Sequence, residues 1–165
     1  MEVIKKDSPL WNYLNDDIRG LIIDGENLLD LPRDREQKVS DYSYLVFPFA
    51  KAYEGFMKKL FLDMKIIDEK DFYGDEIRVG RILSPRYRKS HAREFNRTCL
   101  KETKAVDLAD DLWATWHRGR NRVFHYFPHN FRRLNYEEAL DIIQEIGSRM
   151  EEAIVECDLA TFSIV

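Results

Sequence analysis

The sequence predicts an all-α fold, a bundle of four to five helices in a single domain that spans residues 1–165. Three observations predict it. Apolar residues recur at three- and four-residue steps over long stretches, no stretch alternates strongly enough to predict a sheet, and 165 residues with 44% hydrophobic side chains suit one core of ordinary size. Amphipathic helices of this kind bury their apolar faces against one another in a bundle.

The first amphipathic helix is predicted to begin at Ser8-Pro9, where a capping residue precedes a proline in the first helical position. Its apolar positions follow at helical spacing: Leu10, Trp11, Leu14, Ile18, Leu21 and Ile22. The polar residues 32–41 then predict a connection.

A second, longer helix is predicted to lie at the centre of the bundle. Its apolar positions are Tyr42, Leu45, Phe49, Tyr53, Phe56, Leu60 and Met64. Pro48 lies inside this helix and removes one backbone hydrogen bond, so we expect a kink there.

The remaining chain divides into three parts. Residues 65–103 are interrupted by Gly74, Gly80 and Ser84-Pro85, which predicts a long basic connection with short helical pieces. The helical pattern returns from residue 105 to about residue 127. After a loop, a last amphipathic helix is predicted from Tyr136 onward, with acidic residues that suit the positive end of a helix.

The charge is unevenly distributed, although the net charge is only −4. Residues 78–104 carry nine Lys and Arg against two Glu, and residues 117–133 carry five Arg and no acid. If these segments meet, they form a positive face that can hold a polyanion through phosphate contacts. Arg86, Arg88 and Lys89 are then candidate RNA contacts. The alternative is that these basic residues form a solvated face and make salt bridges with the acidic C-terminal helix.

Several classes of protein are excluded by what the sequence lacks. It has no apolar run of membrane-spanning length, no signal peptide and no glycine-rich phosphate loop, which predicts a cytoplasmic protein without a membrane partner. Cys99 and Cys157 lack the paired spacing of a zinc site, so we expect free thiols in a reduced compartment. No metal site and no cofactor are predicted.

The segment Arg118-Gly-Arg-Asn-Arg-Val-Phe-His125 brings three arginines, an amide and an imidazole together within eight residues. On an ideal helix Arg118, Asn121 and His125 share a face, whereas Arg120 lies about 140° from His125. A kink or a neighbouring subunit would then be needed to bring Arg120 to the imidazole. Such a set can transfer phosphoryl groups without metal, because an imidazole moves the proton of a ribose 2′-hydroxyl while a guanidinium holds the phosphate.

This segment resembles the HEPN superfamily of ribonucleases, whose motif is an Arg, four to six further residues and a His, often with a polar residue directly after the Arg. Arg120 to His125 matches the four-residue form and Arg118 to His125 the six-residue form, and the Arg120-Asn121 pair favours Arg120. Together with residues 52–60, residues 120–127 resemble the HEPN domain of RNase LS-type toxins. One departure is that Phe127 stands where a Tyr is found in HEPN toxins paired with nucleotidyltransferase antitoxins, whereas Tyr126 directly follows His125.

The resemblance implies a four-helix core, a homodimer that brings two motifs together in a cleft, and metal-independent RNA cleavage that leaves a 2′,3′-cyclic phosphate. His125 would be the general acid or base, Arg120 the ligand of the phosphate, and Asn121 a residue that orients the site. Arg118 and Arg122 would bind flanking phosphates. A partner antitoxin protein is also implied.

Two further residues are candidates for supporting roles. HEPN enzymes often place a polar residue of the preceding long helix near the Arg-His pair, and Glu54 is the candidate here, together with Tyr126 beside the histidine. Two other interpretations remain open. The chain could be a non-catalytic HEPN-like module that binds RNA, a nucleotide or a partner protein, or a helical interaction domain that binds no nucleic acid.

Overall fold

A computed structural model describes residues 1–31, 39–101 and 107–159, and within these ranges helices are the only regular elements. The predicted all-α fold is therefore confirmed. None of the helices in these ranges combines the length and apolar character that a bilayer crossing requires. Most of the predicted polar connection after the first helix, Val106 at the start of the predicted motif helix, and residues 102–104 of the basic segment lie outside the described residues.

Nine α-helices follow one another in the described chain. They are α1 (Pro9–Tyr13), α2 (Asp16–Asp30), α3 (Ser43–Asp63), α4 (Glu69–Tyr73), α5 (Val79–Ile82), α6 (Pro85–Ser90), α7 (Ala92–Phe95), α8 (Leu108–Trp116) and α9 (Tyr136–Glu156). A π-helical turn, His117–Asn121, continues α8, and a 3₁₀ turn, Pro128–Asn130, precedes α9. Four of these helices, α2, α3, α8 and α9, form the main bundle, and the short ones cover it.

The N-terminal helix predicted as one element is two helices, α1 and α2. The break falls at Asn15, whose side chain accepts a hydrogen bond from the backbone N–H of Ile18 at 3.0 Å and so caps a new helix. Asp16 and Asp17 supply negative charge to its first turn. Apolar residues continue at helical spacing across the break, which hides this second cap in the sequence.

The predicted central helix is confirmed as α3, which packs against α2, α8 and α9. It continues past Pro48, and the bend expected there stays a prediction. Tyr53 is fully buried, and its hydroxyl donates to the carbonyl oxygen of Leu112 at 3.0 Å, which ties α3 to α8. Burial raises the pKa of Tyr53 well above its ordinary value, so this hydroxyl stays a donor.

The connection predicted between the second helix and the motif helix contains the four short helices α4 to α7, as expected. Gly80 allows the backbone of α5 to approach the Trp116 side chain closely, because a β-carbon at this position would lie 2.2 Å from the Cη2 atom of Trp116. α5 therefore lies directly under the indole at the end of α8.

The last predicted helix is confirmed as α9, which begins with a capping box formed by Asn135 and Glu138. The expectation of free thiols is wrong. Cys157, just after α9, forms a disulfide with Cys99, just after α7, with 5.1 Å between the two Cα atoms. The fold brings the two cysteines together, and nothing in their spacing of 58 residues indicates it.

Candidate active site

The motif helix ends earlier than predicted. α8 passes into the π-helical turn, in which the N–H of Arg122 donates to the carbonyl of His117 at 3.0 Å, and residues 122–125 form turns rather than helix. The prediction of a helix that continues to about residue 127 is therefore wrong, and so is the expectation that Arg118, Asn121 and His125 lie along one helical face. Glycine and asparagine are weak helix formers, and Gly119 and Asn121 fall where the helix ends.

Gly119 fixes the position of the motif on the bundle. It is buried, and a β-carbon at this position would lie 3.1 Å from Cδ1 of Ile146 and 3.3 Å from Cγ2 of Ile142. Glycine therefore lets the π-helical turn approach α9 closely, and a larger residue here would require the isoleucine side chains to shift by a few tenths of an ångström. The arginines on either side of Gly119 contact different helices: Arg118 pairs with Glu145 of α9, and Arg120 with Glu54 of α3.

The first of two clefts beside the motif, the α3 cleft, has a volume of about 290 Å³. It is lined by Phe47, Ala50, Lys51, Glu54, Arg120 and Phe124. Nε of Arg120 donates to Oε2 of Glu54 at 3.3 Å, and both side chains are partly exposed, so this ion pair adds little stability. The guanidinium is therefore oriented yet accessible, beside the exposed rings of Phe47 and Phe124, whose centroids are 5.6 Å apart.

His125 is exposed and hydrogen-bonded to Asn121, with 3.1 Å between Nε2 and the side-chain oxygen Oδ1. An amide oxygen can only accept, so Nε2 carries the hydrogen, and Nδ1 of the neutral ring is left as a proton acceptor. Tyr126, the next residue, is 79% exposed. Asn121 therefore contacts the imidazole, as their helical spacing of four residues predicted, although the segment between them is a turn rather than a regular helix.

Arg118 belongs to a different set of contacts. It forms an ion pair with Glu145, whose other oxygen accepts a hydrogen bond from the buried hydroxyl of Thr115 at 3.0 Å. The two candidate arginines of the motif are therefore on different sides of it, and the α3 cleft contains Arg120 alone.

The second cleft, the arginine cleft, lies between the motif and α9 and also measures about 290 Å³. Four arginines line it: Arg118, Arg122, Arg132 and Arg133. The last two were not singled out from the sequence, where they appear only as members of the acid-free run 117–133. That run could have indicated that Arg132 and Arg133 are functional, because it contains five arginines and no acidic residue. Such arginines must either form ion pairs with other segments or stay unpaired.

Asp41 holds the loop that carries Arg132 and Arg133. Its carboxylate accepts hydrogen bonds from the side-chain amide of Asn130 at 3.0 Å and from the N–H of Leu134 at 3.2 Å, so that the loop is attached at both residues to a side chain two positions before α3. It also accepts from Ser43. One carboxylate thus joins the start of α3 to the wall of the arginine cleft.

The hydrogen bonds to Asp41 predict that the attachment of this loop depends on pH. Partial burial alone would raise the pKa of Asp41, but hydrogen bonds from Ser43, Asn130 and Leu134 outweigh it and lower the pKa below its ordinary value of 3.8. A carboxylate with a lowered pKa stabilises the folded chain above that ordinary value and loses this contribution as the pH falls through its folded pKa. We expect the NMR signals of the Leu134 amide and the Asn130 side chain to move together below pH 3.8. Asp41→Asn is the control that should remove this titration, and a midpoint at or above 3.8 would contradict the assignment.

The basic residues predicted from the connection lie elsewhere. Arg88 forms ion pairs with Asp107 and Asp110 at the start of α8, and Lys89 lines the same small cavity. Ten residues of helix separate Asp110 from Arg120, which is about 15 Å. Arg86 is exposed on the same short helix, α6. The structure therefore does not bring these three residues to the motif, and Arg88 is already paired within the chain.

Within the described ranges, no group of three or more His, Cys, Asp or Glu side chains is placed to hold a metal ion. No protein-family model, curated protein or solved structure matches this chain. The resemblance to HEPN domains therefore rests on the residues of the motif and on their placement at the end of a helix in an all-α bundle.

Proposed function

We propose that the protein is a metal-independent endoribonuclease of the HEPN type, with RNA as its substrate. One observation supports it most: the motif presents an exposed imidazole bonded to Asn121, and Phe124, the residue before that histidine, lines a cleft that also contains an accessible arginine. His125 and Arg120 supply the two kinds of group that attack by a ribose 2′-hydroxyl requires.

The proposed reaction is an internal phosphoryl transfer. Nδ1 of His125 takes the proton of the 2′-hydroxyl, the 2′ oxygen forms a bond to phosphorus, and the bond from phosphorus to the 5′ oxygen breaks. The leaving 5′ oxygen takes a proton from solvent water, and His125 returns the proton of the 2′-hydroxyl to solvent. The products are a 2′,3′-cyclic phosphate and a 5′-hydroxyl. Arg120 binds the non-bridging oxygens and offsets the charge that develops on them in the transition state.

The aromatic residues favour a single-stranded substrate. Phe47 and Phe124 form an edge-to-face pair with exposed ring surface, and Tyr126 is almost fully exposed. Unpaired bases stack on such rings, whereas bases inside a duplex do not reach them. Lys51, exposed at the same cleft, adds a second cation for the backbone.

We further propose that the enzyme acts as a homodimer and is restrained by an antitoxin protein. Exposed rings at positions 44, 47, 124 and 126 give the region around the motif more apolar surface than a solvated face needs. A two-fold contact there would add a second motif to the site. Light scattering at micromolar concentration is expected to give the mass of two chains, and a monomer would remove this part of the proposal.

The proposed activity predicts that RNA is cleaved in excess EDTA and that DNA of the same sequence is not. The reason is that the reaction needs the 2′-hydroxyl, an imidazole and a guanidinium, and DNA lacks the first of these. Purified protein incubated with a matched single-stranded RNA and DNA tests both points in one gel. Cleavage that stops in EDTA, or DNA cut as fast as RNA, would rule the proposal out.

The second candidate is a non-catalytic module that binds RNA or a nucleotide through the same surface. The observation that favours it is that Arg120 and Arg118 are each engaged by a glutamate, while the hydrogen bond described for His125 leads to Asn121 rather than to an arginine. This candidate predicts RNA binding that weakens with salt, with no product in EDTA or in added metal.

A further inference from the structure

We propose that the arginine cleft is a phosphate-binding site, separate from the α3 cleft, for the phosphate group of a nucleotide or of a nucleic-acid strand. Its existence does not depend on whether the motif cleaves RNA. It assigns a function to Arg132 and Arg133, which the proposed reaction does not use.

The charges of the cleft favour an anion. Four guanidinium groups face two carboxylates, Glu138 and Glu145, which leaves an excess of two positive charges. Glu138 is occupied by its own helix, because it accepts a hydrogen bond from the N–H of Asn135 at 2.8 Å, and Glu145 is paired with Arg118. Among the described residues, no carboxylate pairs with Arg122, Arg132 or Arg133.

Arg132 is held in place before any ligand arrives. Its guanidinium carbon lies 3.6 Å from the centroid of the Phe127 ring and 5.4 Å from that of Phe131. Its Nε–H is buried and has no hydrogen-bond partner in the part of the chain that the structure describes. The two rings therefore hold the guanidinium in place, and its terminal Nη groups are the donors for an oxyanion.

The loop between Phe127 and Leu134 is rigidly attached on both sides. Asn130 bonds to Asp41 through its side chain and to the carbonyl of Phe127 through its N–H at 2.8 Å. Leu134 bonds to Asp41 through its N–H, and its carbonyl accepts from Tyr42 at 3.0 Å. The backbone that carries Arg132 and Arg133 is therefore held by hydrogen bonds on both sides, so that little backbone entropy is lost when a ligand binds.

The chemistry of the lining favours phosphate over a carboxylate. Several converging guanidinium groups match the three or four oxygens and the higher charge of phosphate, and each can donate two parallel hydrogen bonds. The volume of about 290 Å³ leaves room for the sugar that carries the phosphate. Phe131 is 66% exposed beside the cleft and offers a ring on which a base can stack.

Isothermal titration calorimetry at low salt tests the site with three probes: pyrophosphate, AMP, and an RNA hexamer that is 2′-O-methylated so that it cannot be cleaved. The variant is Arg132→Gln with Arg133→Gln, and we expect at least tenfold weaker binding of the phosphate probes. The matched control is Arg93→Gln with Arg97→Gln, which removes the same charge from exposed positions outside the cleft and should leave affinity within about twofold.

The probes separate the two sources of the phosphate. Binding of AMP or pyrophosphate assigns the cleft to a free nucleotide, and binding of the hexamer alone assigns it to a strand. Either result supports the site if the cleft variant loses that binding.

If circular dichroism shows that Arg132→Gln disturbs the fold, the variant Arg122→Gln with Arg133→Gln replaces it, since both of these side chains are exposed. Equal losses in the cleft and control variants, or no binding by the unmodified protein to any probe, would overturn the proposal. These binding measurements involve no cleavage, so failure of the nuclease proposal, which is tested with cleavable RNA in EDTA, is seen separately.

Discussion

His125→Ala is expected to lower the rate of RNA cleavage in EDTA by on the order of 10² to 10⁴, because it removes the group that takes the proton of the 2′-hydroxyl. The imidazole is exposed, and its described hydrogen bond leads to a surface asparagine, so the fold should survive the change. His91→Ala is the matched control. That ring lies between α6 and α7, away from the motif, and stacks on Tyr87 with 3.9 Å between centroids, so cleavage should be unchanged.

Arg120→Ala should reduce cleavage to a similar degree. Its ion pair with Glu54 is partly exposed, so the melting temperature should change little, which separates a loss of chemistry from a loss of fold. Arg118→Ala decides between the two forms of the motif. If Arg118→Ala were the harmful change and Arg120→Ala harmless, the six-residue form would be the operative one.

Full activity in both His125→Ala and Arg120→Ala would remove the nuclease assignment from this site. The single-turnover rate at saturating protein is the quantity to measure, because it is not affected by weaker binding of the RNA.

Loss of the disulfide between Cys99 and Cys157 is expected to have the largest effect on stability. The bond closes a loop of 58 residues, and the chain-entropy argument gives about 4 kcal/mol for a loop of this size. That is on the order of 10³ in the unfolding equilibrium. Urea denaturation with and without a phosphine reductant measures it, and the reduced protein should unfold at a lower urea concentration.

The double variant Cys99→Ser with Cys157→Ser is the control for this measurement. It should match the reduced protein and be insensitive to reductant. Labelling of both cysteines by iodoacetamide in unreduced, denatured protein, together with no effect of the reductant, would show that the bond does not form.

Regular packing made most of the fold predictable. The apolar spacing of α3 and α9 predicted these two long helices, because long apolar faces dominate local structure. The glycines and the single proline of residues 65–103 predicted short helical pieces, because they break helices. The break between α1 and α2 was missed because apolar spacing runs on through Asn15. The disulfide was missed because it depends on tertiary contact between two distant helix ends.

The site was predictable in composition but not in geometry. The sequence predicted which residues gather in the motif and that a polar residue of α3 would lie near it, and the structure places Glu54 against Arg120. It could not predict the π-helical turn, because its position depends on Gly119 fitting against Ile142 and Ile146 of α9. The arginine cleft was missed for a related reason, since a loop held by Asp41 brings Arg132 and Arg133 back to the motif.

The chemistry of the cleaved ends tests the central proposal most directly. A single-stranded RNA of defined sequence is incubated with the protein in excess EDTA, and mass spectrometry identifies the termini of the fragments. Attack by the neighbouring 2′-hydroxyl with His125 as the base predicts fragments that end in a 2′,3′-cyclic phosphate and begin with a 5′-hydroxyl. Fragments with 3′-hydroxyl and 5′-phosphate ends, which arise when water or a metal-bound hydroxide attacks the phosphorus, would contradict it.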